Sequence, residues 1–198
     1  MPKTEIRQVQ GKEFLDILYF LSSYAFHPSP PLQDKDKWRE QVGKRLGVTA
    51  YGLFEGTNPV AIVAETHMNQ QIRGRQVGMG GIWGVATHPE ARRRGYCKRL
   101  MKHLLDSIHE DDRGFSCLYP FRESFYERLG YVTFPQSKEV SFDPANLSPL
   151  LKRNFEGEVE MLPIKEGFPI YAQFLKAVQK HTHGMALLAK DDQAEARE

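Results

Sequence analysis

One segment constrains the fold of this chain more than any other, a glycine-rich run that leads through an arginine-rich turn into an amphipathic stretch. Residues 76–87 are rich in strand-forming residues and contain four glycines, and Pro89 follows them. Three consecutive arginines and Gly95 come next, and from about residue 93 to residue 111 apolar residues recur at three- and four-residue intervals. This spacing predicts a strand, a turn and a helix. Glycines inside a strand indicate a bulge, or a ligand that approaches the backbone closely.

The flanking sequence predicts the remaining elements of an α/β domain. Strands are predicted at residues 5–9, 49–55, 60–67, 116–120, 131–134 and 138–142, and helices at residues 12–25, 36–46 and 121–129. The proline-rich residues 27–31 form an extended loop between the first two helices. The predicted order of elements gives a mixed, largely antiparallel sheet flanked by helices.

The C-terminal third predicts a different organisation. Residues 1–142 form the α/β domain, and residues 143–160 are polar and interrupted by prolines, as in a linker. Residues 161–198 correspond to the incomplete start of a second domain or to a C-terminal extension, with a helix at 169–179 and a frayed polar end. A single helix cannot bury its own apolar face. Either the chain is a fragment, or this helix packs on the first domain or on another subunit of a homo-oligomer.

Composition excludes several classes of function. A net charge of +2 argues against nucleic acid as a partner. No apolar run reaches the roughly 20 residues that a membrane helix needs, so no membrane association is expected. The N-terminus lacks the apolar core of a secretory signal, and the two cysteines have no metal or redox spacing. These features predict a cytoplasmic protein with free thiols and no metal.

The arginine-rich turn has the chemistry of an anion site. The N-terminus of a helix presents free amides and a favourable dipole to a phosphate. The arginines at 92–94 add positive charge, and Gly95 lets the backbone come close to a ligand. The competing interpretation is a solvated turn with no ligand.

At these residues the chain resembles the GCN5-related N-acetyltransferase (GNAT) superfamily. The superfamily signature is Gln/Arg-x-x-Gly-x-Gly/Ala, and residues 92–97 match it except that Cys97 replaces the final small residue. The resemblance covers roughly residues 5–142 and implies the GNAT fold with acetyl-CoA as co-substrate. It also implies that the backbone of Val85, Ala86 and Thr87 pairs with the pantetheine arm. The pyrophosphate would then lie on the amides of Arg92, Arg93, Arg94, Gly95, Tyr96, Cys97 and Lys98.

A second tract resembles the Eis (enhanced intracellular survival) family more specifically. Residues 118–131 read LYPFRESFYERLGY, and residues 83–89 read WGVATHP. The resemblance implies that Tyr126 is a general acid. Helical spacing predicts that Phe121, Phe125 and Leu129 face the core, and that Arg122 and Tyr126 form the neighbouring stripe beside the thioester. We also expect Phe121 and Arg122 to contact the cofactor. The alternative is that Tyr126 is an ordinary core tyrosine.

The predicted reaction is direct attack of a primary amine on the acetyl thioester. The amide of Val85 would stabilise the oxyanion, which is worth about 3 kcal/mol. A covalent acetyl-cysteine at Cys97 or Cys117 is disfavoured, because each lies in an apolar periodic segment. The general base is not evident; Glu65, His88 and Glu123 are candidates, each also explained as a solvated or turn residue. The alternative function is a non-catalytic acetyl-CoA-binding or regulatory domain.

The acceptor is expected to be a small-molecule amine or a lysine-type amine. Phe26, Trp38 and Trp83, with Tyr24 and His27, are predicted to surround it, although core packing explains each of them as well. Aminoglycosides are acceptors in the Eis family, and polycations favour acidic pockets. The tip at residues 26–28 contains no carboxylate, although Asp34 and Asp36 follow it. The sequence therefore gives little support for an aminoglycoside acceptor.

Overall fold

The computed structural model describes residues 3–26, 32, 34–134 and 139–190. Its elements are the strands and helices β1 (Thr4–Gln8), α1 (Gly11–Phe26), α2 (Lys35–Gly43), β2 (Val48–Glu55), β3 (Asn58–Ile72), β4 (Arg75–Thr87), α3 (Tyr96–Glu110), β5 (Phe115–Leu118), α4 (Glu123–Glu127), α5 (Ser148–Leu151), α6 (Ile164–Gln179) and β6 (Ala186–Leu188). A short 3-10 helix at Pro89–Ala91 separates β4 from α3.

The sheet has the mixed character that the sequence predicts. Its strands lie in the order β1-β2-β3-β4-β5, with β6 paired to β3. The pairs β1–β2, β2–β3 and β3–β4 are antiparallel, and β4–β5 is parallel. This is an α/β architecture, as expected.

Two apolar clusters cover the two faces of the sheet. On one face, α3 packs through Leu100, Met101 and Leu104 against Ala61 and Val63 of β3. On the other face, α1 packs through Leu18 and Leu21 against Ile62 and Ala64 of the same strand. The alternation along β3 divides its side chains between the clusters, because successive residues point to opposite faces. We refer below to the α3 face and the α1 face.

A bulge interrupts the pairing of β3 with β4. Ile62 is paired with Ala86 and Ala64 with Trp83, so two β4 residues, Gly84 and Val85, lie opposite one residue of β3. Gly84 has φ of +64°, and an added Cβ would lie 2.9 Å from the Leu18 side chain. Only glycine meets both conditions without strain. The bulge predicted from the glycine content of β4 is confirmed.

The segment after β5 departs from the prediction. The helix predicted at 121–129 extends only over Glu123–Glu127. Residues 131–134 and 139–142 form no strand, and residues 135–138 lie outside the described part of the chain. Val132, Phe134, Val140 and Phe142 are 54% to 78% exposed. Their alternation has the period of a strand, but none of these residues pairs with β5 or with another described strand.

The C-terminal helix and strand pack on the β3–β4 hairpin. β6 pairs with Met68–Gln70, and Gln179, which is 2% exposed, donates to the carbonyls of Asn69 and Met185. Helix α6 begins at Ile164, earlier than predicted, and contains Pro169. The amides of Glu166 and Gly167 bond to the Pro163 carbonyl, which adds a turn before the proline. The division into two domains stays a prediction.

No helix in the described residues has the length and apolarity that a membrane crossing requires.

Candidate active site

The parallel strands β4 and β5 separate at the bulge. Their pairing runs from Met79 opposite Phe115 to Ile82 opposite Leu118, where β5 ends. β4 continues to Thr87, paired only with β3 in the described structure. Over Val85–Thr87 the edge of β4 that faces away from β3 therefore has free backbone groups. A linear ligand with amide groups can pair with such an edge as an added strand.

The turn at the end of β4 has backbone angles that favour an anion. Arg93 and Gly95 have φ of +65° and +78°, and Gly95 is the N-cap of the 15-residue helix α3. No side chain caps this helix, so amides of its first turn remain without a partner from a capping residue. An added Cβ at Gly95 would meet nothing within 4 Å. The glycine leaves open space beside the free amides, as a phosphate group requires.

The three arginines of the turn have different surroundings. Arg94 donates to Glu55 at 2.9 Å, and the hydroxyl of Tyr96 donates to the same oxygen at 2.6 Å. The guanidinium of Arg92 lies over the ring of Tyr24, 5.1 Å from its centre. Arg93 is exposed and has the left-handed backbone. Arg93 is thus the best placed of the three to contact an anion, and Lys98 is also exposed on the first turn of α3.

Two of the residues predicted to contact the cofactor through their amides have further contacts in this structure. The side chain of Tyr96 is 7% exposed and belongs to the core of the α3 face. The amide of Arg92 bonds to the Pro89 carbonyl at 3.3 Å, so it is already occupied. The amides available to a ligand start later in the turn than predicted.

Thr87, Cys97 and Tyr126 come together where β4 meets α3. Cys97 and Tyr126 both belong to the apolar cluster of the α3 face, and the Thr87 side chain interacts with the Cys97 thiol. Burial raises the pKa of the Cys97 thiol to about 11, and the interaction with Thr87 partly opposes that rise. A thiol of this kind is protonated at neutral pH and is a poor nucleophile. The sequence argument against an acetyl-cysteine at Cys97 therefore gains support.

Tyr126 is the residue of α4 that points inward. It is 4% exposed and packs against the rings of Phe121, Phe125 and Tyr131, with centres 5.0 to 5.8 Å apart. Burial, followed by the charges of Cys97 and Tyr131, raises its pKa to about 12. No described residue forms a hydrogen bond with its hydroxyl. The phenol therefore remains protonated at neutral pH and can act as a proton donor.

The predicted core-facing stripe of this helix was wrong at Phe121, which is 71% exposed, whereas Phe125 and Leu129 pack against the core. Arg122 and Tyr126 do not share one stripe, because Arg122 is exposed and Tyr126 is buried. The reason is that Phe121 and Arg122 precede the helix, so the helical spacing between residues 121 and 125 does not apply. Arg122 is exposed at the N-cap of α4. Contacts of Phe121 and Arg122 with a cofactor stay predictions.

The three candidate bases have different surroundings. Glu65 is fully buried, and it accepts a hydrogen bond from Arg113 at 2.5 Å beneath the other end of α3. It is neither solvated nor in a turn. Glu123 is exposed in the first turn of α4. His88 directly follows Thr87, lies beside it at the edge of a cavity, and stacks on Phe20 with ring centres 5.8 Å apart.

The predicted acceptor residues do not form one pocket. Phe26 is 54% exposed at the end of α1, and Trp38 packs edge-on against Tyr19, with ring centres 5.3 Å apart. Trp83 donates its indole N–H to Thr66 at 2.9 Å and packs edge-on against Phe14. His27 lies outside the described residues. A cavity of about 170 Å³ lies instead between α1 and the end of β4, lined by Phe20, Leu21, Tyr24, Thr87, His88 and Pro89.

Two side chains with contacts near the site were missed from the sequence. Glu55 holds both Arg94 and Tyr96, and thereby fixes the start of α3. Arg45, between α2 and β2, lies over the ring of Trp83. Neither has a sequence signal, because each partner lies at least 38 residues away in the chain.

Comparison with known proteins agrees with this geometry. The model of the acetyltransferase (GNAT) domain matches residues 5–134, about two thirds of the chain. The chain belongs to the GNAT acetyltransferase family. A search of curated proteins gave no match for this GNAT chain.

Solved GNAT structures share the fold. A probable N-acyltransferase from Enterococcus faecalis V583 is 26% identical, with a TM-score of 0.57, over 66% of this chain and 32% of its own. This chain therefore spans about a third of the length of that protein. A predicted acetyltransferase from Clostridium acetobutylicum, crystallised with acetyl-CoA, gives a TM-score of 0.61 at 14% identity, over 70% of this chain and 96% of its own.

Eis1 from Mycobacterium abscessus has the same fold. It gives a TM-score of 0.53 at 20% identity, over 65% of this chain and 31% of its own. At this identity the match shows a common fold and nothing more.

Proposed function

We propose that this GNAT domain is an N-acetyltransferase that transfers an acetyl group from acetyl-CoA to a primary amine by direct attack. One observation carries the proposal. The free edge of β4, the uncapped start of α3 and the phenol of Tyr126 adjoin one another at the same end of the α3 face. The edge of β4 would bind the pantetheine arm, the start of α3 would bind the pyrophosphate, and Tyr126 would donate a proton.

The backbone supplies binding and orientation. The edge at Val85, Ala86 and Thr87 would pair with the amides of the pantetheine arm. The first turn of α3 at Gly95, with Arg93 and Lys98 beside it, would hold the pyrophosphate. The bulge turns the Val85 amide out of register with β3, and we assign this amide to the developing oxyanion.

Tyr126 would protonate the leaving sulfur. Its phenol has a pKa of about 12, so it holds its proton throughout the physiological range. Transfer then requires the negative charge that builds on the sulfur as the carbon–sulfur bond breaks. The proton moves from Tyr126 to the sulfur, and the amine nitrogen forms the new bond to the acetyl carbon.

The amine would arrive already neutral. His88 lies beside Thr87, but its ring is stacked on Phe20, and we assign it no role as a base. The attacking amine therefore gives up its proton to water. We expect kcat/KM to rise with pH up to the pKa of the acceptor amine. A bell with an acidic limb near pH 6 would indicate a histidine or carboxylate base instead.

A non-catalytic acetyl-CoA-binding domain is the second candidate. It is favoured because no base is assigned, and because Arg94 is held by Glu55 instead of facing a ligand. It predicts binding of acetyl-CoA without turnover.

A thiol-release assay with acetyl-CoA and a panel of primary amines separates the two candidates. Tyr126→Phe should lower kcat about a hundredfold to ten-thousandfold, the usual range for loss of a general acid. It should leave the Kd of acetyl-CoA unchanged.

The matched control is Tyr131→Phe, since Tyr131 lies beside Tyr126 but its hydroxyl is bonded to Ser116 at 2.6 Å. It should change kcat less than tenfold. Equal kcat values for Tyr126→Phe and wild type would remove Tyr126 from the mechanism. Binding of acetyl-CoA without turnover of any amine would favour the second candidate.

We also propose the cytoplasm as the compartment, supported by Cys97 and Cys117, which are both free thiols.

A further inference from the structure

Arg45 is placed over the one tryptophan of β4. Its guanidinium carbon lies 4.6 Å from the centre of the Trp83 ring. The indole N–H of Trp83 is bonded to Thr66, so the ring is fixed from its other side. Stacking occupies the face of a guanidinium and leaves the N–H donors at its edge free.

Arg45 lacks the partners that neighbouring cations have. Lys35 and Arg39 of α2 both contact Asp16 of α1, and Lys44 contacts Glu40 at 3.3 Å. No described carboxylate pairs with Arg45. Arg45 is exposed, so the N–H donors at its edge are accessible to a ligand. An unpaired guanidinium can donate two parallel hydrogen bonds to a carboxylate.

The position of Trp83 relates this arginine to the reaction. Trp83 precedes the bulge at Gly84 and Val85 and packs on the α1 face, whereas Tyr126 lies on the α3 face. In acyl transfer the nucleophile adds to one face of the carbonyl carbon. Because Tyr126, the proton donor for the sulfur, lies on the α3 face, we assign the α1 face to the incoming amine. Trp83, two residues before Val85 in β4, and the Arg45 stacked on it lie on that side.

We propose that Arg45 selects acceptors that carry a carboxylate close to the reacting amine, such as an amino acid or a peptide with a free acid group. This inference rests on the proposed function and names its substrate class. The planar guanidinium edge matches a carboxylate with two parallel hydrogen bonds. The half-buried ring of Trp83 provides an apolar surface for the body of the acceptor. A polycationic amine is disfavoured, because Arg45 would repel it.

Tryptophan fluorescence measures this recognition without acetyl-CoA or turnover. The chain contains two tryptophans, so Trp38→Phe leaves Trp83 as the sole reporter. The probes are N-acetylphenylalanine and its uncharged amide, which have the same body and differ in the carboxylate. Neither has an ionisable amine that would complicate the comparison. In this background we expect the acid to bind at least tenfold more tightly than the amide.

Substitution of Arg45 should remove that preference. Arg45→Gln should weaken binding of the acid about tenfold to a hundredfold, the usual range for a charged hydrogen bond, and leave the amide unchanged. Arg45→Lys keeps the positive charge but cannot donate two parallel hydrogen bonds from a planar group. It should give an affinity for the acid between those of wild type and Arg45→Gln. The control Lys44→Gln removes an adjacent exposed cation that is paired with Glu40, and should have no effect.

Turnover completes the test. In the thiol-release assay, Arg45→Gln should raise the KM for phenylalanine and leave the KM for acetyl-CoA unchanged. Three results would overturn the inference: equal affinity for acid and amide, unchanged acid binding in Arg45→Gln, or no fluorescence response to either probe. Each of these leaves the proposed acetyl transfer intact if another amine releases thiol, so the two proposals fail separately.

Discussion

The two ends of α3 both combine charged side chains with a glycine of β4 or of the preceding turn, yet they are built differently. At the C-terminal end, Glu65 and Arg113 are 0% and 9% exposed and are bonded to each other. An added Cβ at Gly80 there would lie 2.5 Å from Ile108. At the N-terminal end, Arg93 and Lys98 are exposed, and the space beside Gly95 is open. We refer to this N-terminal end as the open end of α3.

This difference separates structural charge from charge that is available to a ligand. Paired, buried groups beneath a helix stabilise the fold, and their removal leaves an uncompensated charge. Uncapped amides and unpaired cations at an open glycine interact only with solvent until an anion binds. Substitutions at the C-terminal end of α3 should therefore change stability, and substitutions at its N-terminal end should change acetyl-CoA binding.

The largest effect is expected from Glu65→Gln. It removes one of the two carboxylate partners of the buried Arg113, the other being Asp111, and should lower the free energy of unfolding by about 3 kcal/mol, measured by urea denaturation. Turnover per folded molecule should not change. Glu110→Gln, at an exposed position near the same end of α3, is the control and should be neutral. Lost turnover with normal stability would instead make Glu65 the general base.

Gly95→Ala should have a smaller effect, divided between stability and binding. A left-handed alanine costs about 1–2 kcal/mol. Gly74, in the β3–β4 turn, also has positive φ and open space around it, so Gly74→Ala should show the same loss of stability. Only Gly95→Ala should also weaken acetyl-CoA binding, at least tenfold by calorimetry. Equal Kd values for the two variants would place the pyrophosphate elsewhere.

The smallest effect is expected at Glu55, which orders the open end. The hydrogen bond from Tyr96, and then the contact with Arg94, hold the pKa of Glu55 below its ordinary value of 4.5. A lowered folded pKa stabilises the protein above about pH 4.5, and the effect is lost as pH falls through the folded pKa. The Tm of wild type should exceed that of Glu55→Gln at pH 7, and the difference should shrink below pH 4.5. A difference that does not vary with pH would contradict this ionic role.

The elements around the open end could be predicted because their signals are local. The glycines of β4, Pro89, Gly95 and the periodicity of α3 lie within one stretch of about 35 residues. Each depends on backbone conformation or on the period of a single element. The strand, bulge, turn and helix predicted there all agree with the structure.

Predictions failed where a feature depends on distant partners. The pairing of β6 with β3 joins residues more than 115 positions apart, and no periodicity indicates it. The contacts of Arg45 with Trp83 and of Glu55 with Tyr96 are likewise tertiary. The apolar alternation within residues 131–142 predicted strands, but alternation alone does not produce pairing, and the described residues 131–134 and 139–142 form no strand. The resemblance indicated Tyr126 as a candidate general acid, whereas its burial and its closeness to Cys97 could be seen only in the structure.

A crystal structure of the full chain soaked with acetyl-CoA tests the account most directly. We expect the pyrophosphate on the amides at the start of α3 beside Gly95, and the pantetheine arm along Val85–Thr87. The sulfur should lie within hydrogen-bond reach of the Tyr126 hydroxyl. A pyrophosphate bound away from Gly95, or a sulfur out of reach of that hydroxyl, would contradict the assignment of the open end of α3 as the acetyl-transfer site.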